Sequence, residues 1–268
     1  GCIFCSAKGS GDFAGDAALT ITEQLAAGKK DLLAKRPVHS YVAYFQAFTN
    51  TYAPVPRLEK IFTEAIQDPD VRALSIATRP DCLGRDVLEL LGRLNQIKPV
   101  WVELGLQTIH EETARFIRRG YDLDIFDRAV TDLRRLGITV IVHVILFLPG
   151  ETEEMMLETL DYLNSRDIQG IKLQLLHILE GTDLAELYRD HPFHTPDMEE
   201  YIRVLGRCIA RLRPDIAIHR LTGDGPKDLL IAPLWTGAKR TVLNQGRLPS
   251  HHLPDFGVCA RQRLYFIF

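Results

Sequence analysis

Thr139-Val-Ile-Val-His-Val-Ile-Leu-Phe-Leu-Pro-Gly-Glu151 decides the fold. Apart from His143 it is apolar on both alternations, so a strand here is buried on both faces. Pro149-Gly150 then stops it, and Glu151 opens a polar end. A strand covered on both faces belongs to a parallel sheet layered by helices.

The same pattern recurs on either side. Ser40 to Gln46, Ala73 to Ala77, Val100 to Leu106 and Gly170 to Leu176 read as further strands, each followed by a polar loop. Amphipathic helices separate them over Thr20 to Ala34, Arg57 to Gln67, Arg85 to Leu94, Glu111 to Arg118 and Leu123 to Leu136. Gly137 is positioned as the C′ stop of the last of these. A helix from Thr152 or Glu153 to about Ser165 follows the quoted strand. Met198 to Leu212 is a long helix ahead of Pro214, and Ile216 to Arg220 a late strand.

Polar residues at the ends of successive parallel strands suit a (β/α) barrel, whose site is built from the loops after the strands. The alternation ends near residue 182, short of the roughly 250 residues of a closed eight-stranded barrel. A partial barrel is therefore expected. Residues 245–268 show no clean period, and no element or role is assigned to them.

Composition is that of an ordinary globular chain: 268 residues, 46% hydrophobic, 25% charged. A formal net charge of −3 excludes a global basic field for nucleic acid and leaves room for a local one. Five cysteines without regular spacing argue against a secreted disulfide framework and for a reducing cytosol, and no apolar run is long enough to span a bilayer.

Chemistry concentrates at Cys2-Ile-Phe-Cys5, followed by the Gly/Ser-rich run from Ser6 to Gly15. By spacing alone the pair is part of an iron–sulfur ligand set, a redox dithiol or half a zinc site. The other cysteines are isolated, and Cys82 and Cys208 read as small buried residues. Gly9-Ser-Gly-Asp12 lacks the lysine and spacing of a phosphate loop. Glu103, a carboxylate inside an apolar strand, needs partners, whereas Arg79 with Asp81 also reads as a loop ion pair, and His143 also as a core histidine.

With Phe4 before its second cysteine, the pair resembles the C-x-Φ-C of the radical SAM (S-adenosylmethionine) superfamily. A finer resemblance is to the YhcC/YtqA-type proteins, relatives of the Elongator catalytic subunit. It rests on Gly1 to Ser6, Gly9 to Gly15, Phe45-Gln-Ala-Phe-Thr-Asn-Thr-Tyr-Ala-Pro54, Ala77-Thr-Arg-Pro-Asp-Cys82, Val102-Glu-Leu-Gly-Leu-Gln-Thr108, Leu148-Pro-Gly-Glu151 and Ala232-Pro-Leu-Trp235. These stretches span nearly the whole chain up to Asn244, where the family pattern is left.

The resemblance implies an α/β fold, a partial (β/α)6 TIM-like barrel whose first strand is missing from this chain. The first of three cluster cysteines is expected upstream of Gly1. Residues 1–182 are the expected core, 183–244 an extension packing on it, and 245–268 an atypical tail. The implied cofactors are a [4Fe–4S] cluster on Cys2 and Cys5 and S-adenosylmethionine. The implied chemistry is reductive cleavage to a 5′-deoxyadenosyl radical. Phe4 is expected beside the adenine, and Gln46, Thr49 and Asn50 at the methionyl amino group. Thr78, Arg79, Asp81 and Glu103 are expected at cofactor or substrate, Gln107 at the ribose, Arg119 at the methionyl carboxylate, and Gly150 and Glu151 near the adenine. Implied partners are an electron donor such as flavodoxin or ferredoxin, and tRNA through wobble-uridine modification. A cytoplasmic location with no membrane is expected. The alternatives are a barrel that binds a small molecule or RNA without radical chemistry, its C-x-x-C free or on zinc, and an inactive fragment of the enzyme.

Overall fold

A computed structural model describes residues 1–268 except 10, 13, 36, 224, 239–264 and 268. The chain runs α1 (Ile21–Leu33), β1 (Tyr41–Phe45), α2 (Val55–Gln67), β2 (Val71–Thr78), α3 (Arg85–Asn95), β3 (Val100–Gln107), α4 (Glu111–Phe116) and α5 (Leu123–Arg135). It continues through β4 (Thr139–Leu146), α6 (Glu153–Asn164), β5 (Gly170–Leu175), β6 (Ile178–Leu179), α7 (Asp183–Asp190), α8 (Met198–Arg211), β7 (Ala217–Arg220), β8 (Leu230–Ala232) and β9 (Tyr265–Ile267).

One sheet takes the order β7-β5-β4-β3-β2-β1-β9, and β6 and β8 form a separate antiparallel pair. β1 through β5 lie beside one another in chain order, without the reversal that marks a doubly wound sheet. Sequential parallel neighbours joined by helices are the wall of a (β/α) barrel. The β1–β2, β2–β3, β5–β7 and β1–β9 pairings are all parallel. The α/β partial-barrel fold expected from the alternation is the fold observed.

Local chemistry accounts for the boundaries. Thr20 and Glu23 form a reciprocal capping box at the start of α1: the Thr20 hydroxyl accepts from the Glu23 N–H, and the Glu23 carboxylate accepts from the Thr20 N–H. Thr152, Thr182 and Asp197 cap α6, α7 and α8 by a side-chain oxygen that accepts from the N–H of Met155, Ala185 and Glu200 respectively. α2 begins two residues before the expected Arg57, because Pro56 fits a first turn, where its missing N–H is not needed. Gly137 ends α5 at φ +69°, as its position predicts.

Four elements go beyond the sequence pattern. α7 is short and mixed in composition, β6 and β8 are a two- and a three-residue bridge, and β9 comes from the stretch given no element. β9 pairs along the outer edge of β1, with Tyr41 opposite Tyr265 and Ala43 opposite Ile267. Residues 245–264 of the expected tail lie outside the described residues.

The chain forms two compact units. One comprises Gly1–Ala7, Leu106–Leu123 and Val142–Val258; the other comprises Lys8–Gly105, Asp124–Ile141 and Cys259–Phe268. In the first, Ile3, Ile117, Ile145, Leu148, Leu176, Ile178, Leu184, Ala185 and Ala232 form a buried apolar cluster, with Phe4 packed against it. In the second, Val42, Leu58, Phe62, Leu74, Ile76, Leu90, Val102 and Phe126 are fully buried between strands and helices. No described helix is long and apolar enough to cross a membrane.

Candidate functional site

The first unit holds Cys2, Phe4, Cys5, Gln107, Arg119, Gly150 and Glu151. The Cys5 N–H donates to the Cys2 carbonyl at 3.2 Å, so the pair sits on one tight turn. Ile3 fixes that turn from both sides: its N–H donates to the Ile117 carbonyl at 3.2 Å, and its carbonyl accepts from the Leu184 N–H at 2.9 Å. Its side chain is buried in the apolar cluster. Burial of Ile3 thus leaves Cys2 and Cys5 half-buried, and neither is in a disulfide. The Cys2 thiol lies 3.7 Å from the Arg118 carbonyl, and the Arg118 guanidinium pairs with Asp183. Among the described residues no group of three or more His, Cys, Asp or Glu converges as metal ligands.

At the end of β3 the backbone reverses within three residues. The Thr108 N–H donates to the Leu106 carbonyl at 2.9 Å around Gln107, whose φ is +68°. Such a γ-type turn at a non-glycine residue is strained. The Gln107 side-chain Oε1 is buried with no hydrogen-bond partner. A buried acceptor left open carries a desolvation penalty unless a donor arrives.

Thr108 is the hub beside it. Its hydroxyl donates to Glu151 Oε1 at 2.5 Å and accepts from the His110 N–H at 3.1 Å. Its carbonyl accepts from Arg119 Nη1 at 2.7 Å. Burial pushes the Glu151 carboxyl above the usual range, against the lowering effect of the Thr108 hydrogen bond and of His110. The preceding residue, Gly150, has φ +85° and open space where a Cβ would stand.

Arg119 is 2% exposed. Besides the Thr108 carbonyl, it donates from Nε to the Tyr121 carbonyl at 3.0 Å and from Nη2 to Glu111 Oε1 at 2.9 Å. Its guanidinium lies 4.9 Å from the centre of the Tyr121 ring. All three nitrogens are engaged by the protein, in a clamp between the strand end and the start of α5.

The second unit holds Gln46, Thr49, Asn50, Thr78, Arg79, Asp81 and Glu103. The Asn50 amide donates to the Phe45 carbonyl at 3.0 Å and to the Ala77 carbonyl at 2.9 Å, tying together the ends of β1 and β2. The Thr78 hydroxyl lies 2.6 Å from that of Thr51, which donates to the Cys82 carbonyl at 2.7 Å. Arg79 and Asp81 form a bidentate pair at 2.9 and 2.7 Å. Gln46 and Thr49 are half-buried on the loop after β1. Glu103, 1% exposed, accepts from the Tyr44 hydroxyl at 2.9 Å and from the Ser75 hydroxyl at 2.6 Å, which puts one hydroxyl from each of β1 and β2 on the carboxylate of β3.

Tyr44, Ser75, Thr108 and Glu111 were not singled out from the sequence. The signal for the first two was a polar group within an apolar strand, read together with the buried carboxylate it must satisfy. His143 lies 3.2 Å from the Gln174 side chain within the first unit.

Family models match most of the chain: residues 1–163 match the radical SAM superfamily, and residues 168–248 match the radical SAM C-terminal domain. The protein YtqA of Bacillus subtilis is 43% identical over 91% of this chain and 76% of its own length. The tRNA uridine(34) acetyltransferase of Methanocaldococcus jannaschii is 26% identical over 71% of this chain and 35% of its own. Among solved structures, the archaeal Methanocaldococcus infernus Elp3 with an N-terminal deletion matches at a TM-score of 0.68 and 18% identity. That match covers 84% of this chain and 59% of the Elp3 chain, a likeness of fold.

Proposed function

The chain belongs to the radical SAM superfamily, and from that premise we propose that it is an enzyme of radical S-adenosylmethionine chemistry acting on a tRNA uridine. The observation that carries the chemistry is the Cys2–Cys5 turn, pinned through Ile3 so that two thiols, neither in a disulfide, stand half-buried on one loop. Thiolates are the ligands of iron–sulfur clusters, and the donor set present fits such a group.

The Gln107 Oε1 supplies a second test of fit. It is a buried acceptor with no protein donor, held at a strained strand end, and a ribose hydroxyl is a donor of the kind it lacks. Cys2 and Cys5 would hold the cluster, with Phe4 and the open backbone at Gly150 flanking an adenine. When bound, the cluster and S-adenosylmethionine supply reductive C–S cleavage and hydrogen-atom abstraction.

The chain's own residues orient and shield. Thr108 fixes the Gln107 turn through its carbonyl to Arg119 and its hydroxyl to Glu151. In the second unit, Asn50 and Thr51 set the loop that carries Gln46 and Thr49, proposed for the methionyl group. Arg79, Asp81, Thr78 and Glu103 are the proposed substrate-facing polar set of that unit. Arg119 has its three nitrogens committed to the protein, so its part in carboxylate binding runs through the strand end it holds. A one-electron reductant of the flavodoxin or ferredoxin type is the proposed electron source. The tRNA reading is supported by similarity to the tRNA uridine(34) acetyltransferase.

The test is anaerobic reconstitution with iron and sulfide. The expected result is cluster absorption and 5′-deoxyadenosine formation in the wild type, both lost in Cys2→Ser and Cys5→Ser. Equal iron content in the wild type and in both variants would sink the reading.

A further inference from the structure

We propose that Phe48 is a stacking platform for an unpaired base of single-stranded RNA. The inference rests on the tRNA reading above and names the residue that meets the nucleic acid.

Phe48 lies on the loop after β1. It adopts φ +60°, a conformation that large side chains rarely accept. Backbone strain of this kind persists only where the surroundings enforce it, and it gathers at functional sites. Here the enforcement is specific. The Phe48 N–H donates to the Gly9 carbonyl at 2.8 Å. Its ring lies against Gly9 so closely that a Cβ on that residue would stand 2.3 Å from Cδ1 and 2.7 Å from Cγ. A Cβ on Gly11 would stand 2.6 Å from the Ala47 Cβ. Gly9 and Gly11, without side chains, thus serve as a flat backing for this loop.

The ring is nonetheless 68% exposed, and Tyr52 on the same loop is 81% exposed. Isolated surface rings are ordinary. A ring forced into a strained backbone, backed by glycine and left open, is not explained by burial. Asn50 and Thr51 hold the loop to the Phe45, Ala77 and Cys82 carbonyls, so the platform is ordered before anything binds. Stacking on an aromatic face suits every base, because each has a π-face, and successive bases use successive rings. Sequence-specific RNA recognition takes place largely on such unpaired bases.

The experiment uses the full chain and a fluorescein-labelled oligouridylate of about eight nucleotides, followed by anisotropy at fixed salt. Phe48→Trp and Phe48→Tyr are expected to bind as the wild type does. Phe48→Leu and Phe48→Gly are expected to bind about 5- to 150-fold more weakly, the range for one lost base stack. Phe48→Gly should melt close to the wild type, since glycine accepts a positive φ without strain, so its binding loss is not unfolding. Absence of saturable wild-type binding, or binding by the leucine and glycine variants within about twofold of the wild type, overturns the proposal. Reductive S-adenosylmethionine cleavage by the wild type without RNA reports separately on the enzyme reading. Cleavage with unchanged RNA binding by Phe48→Gly removes the platform alone, whereas a ring-dependent binding effect without cleavage supports the platform and removes the radical chemistry.

Discussion

The Thr108 hydroxyl donates to the Glu151 carboxylate across 2.5 Å and so joins the end of β3 to the turn after β4. The same threonine flanks the γ-type turn that presents Gln107. A carboxylate with no assigned partner in the sequence is therefore part of what holds a candidate ligand-binding side chain in place.

Glu151 should give this junction a pH signature. Burial raises its pKa above the unfolded value, so its contribution to stability is complete below the unfolded carboxylate range and is lost as pH rises through the folded value. Glu151→Gln keeps an acceptor for Thr108 and cannot ionise. It should equal the wild type in acid and gain on the order of 1 kcal/mol over it at neutral and alkaline pH. Urea melts of both proteins across pH 4–8 check this; a constant difference would show that the carboxyl titrates alike in both states.

Arg119 should act as a structural clamp. Arg119→Ala leaves the Thr108 and Tyr121 carbonyls without this donor and Glu111 with the Leu123 N–H, at an expected cost of about 2–5 kcal/mol, since each buried acceptor left open costs about 1–3 kcal/mol. Arg119→Lys should recover little of this, because an ammonium cannot span the three directions of the guanidinium fork. Chemical denaturation measures both; a lysine variant as stable as the wild type would contradict the clamp.

Tyr44 and Ser75 should be energetically coupled through Glu103. Tyr44→Phe and Ser75→Ala each remove one donor from a buried carboxylate, at about 1–3 kcal/mol apiece. The double variant should depart from additivity by more than about 0.5 kcal/mol, as residues sharing one partner do. A double-mutant cycle read by thermal melting decides it, and strict additivity would mean that the two hydroxyls act independently.

Cys208 should be inert. Burial pushes its thiol up to about 12, and burial together with Asp81 also raises Cys82. Iodoacetamide at pH 8 should leave Cys208 unmodified in the native protein and label it in denaturant, since the thiolate is the reacting form. Peptide mapping by mass spectrometry reads each site, and native labelling of Cys208 would show that α8 opens.

Much of the fold was legible in the chain because the signals are local. Apolar runs such as Val140 to Leu148 report two-sided burial, and Gly137 and Thr20 punctuate helices by their own backbone and side-chain chemistry. The hidden elements lacked that property. β6 and β8 are two and three residues long and exist through pairing with each other. β9 is a strand because β1 offers it an edge.

The candidate site divides along the same line. The sequence by itself determined which residues are candidates for chemistry: the C-x-Φ-C pair, Gln107 at the end of β3, Gly150-Glu151 after β4, and the carboxylate at 103 within β3. Only the tertiary structure decided their partners. It turned Arg119 inward onto two carbonyls and Glu111, gave Glu103 its two hydroxyl donors, left the Gln107 oxygen without one, and set Phe48 on Gly9. Residue type and period are properties of neighbours in the chain. Hydrogen-bond partners are set by strand register and by loops that meet across tens of residues, and no local pattern contains them.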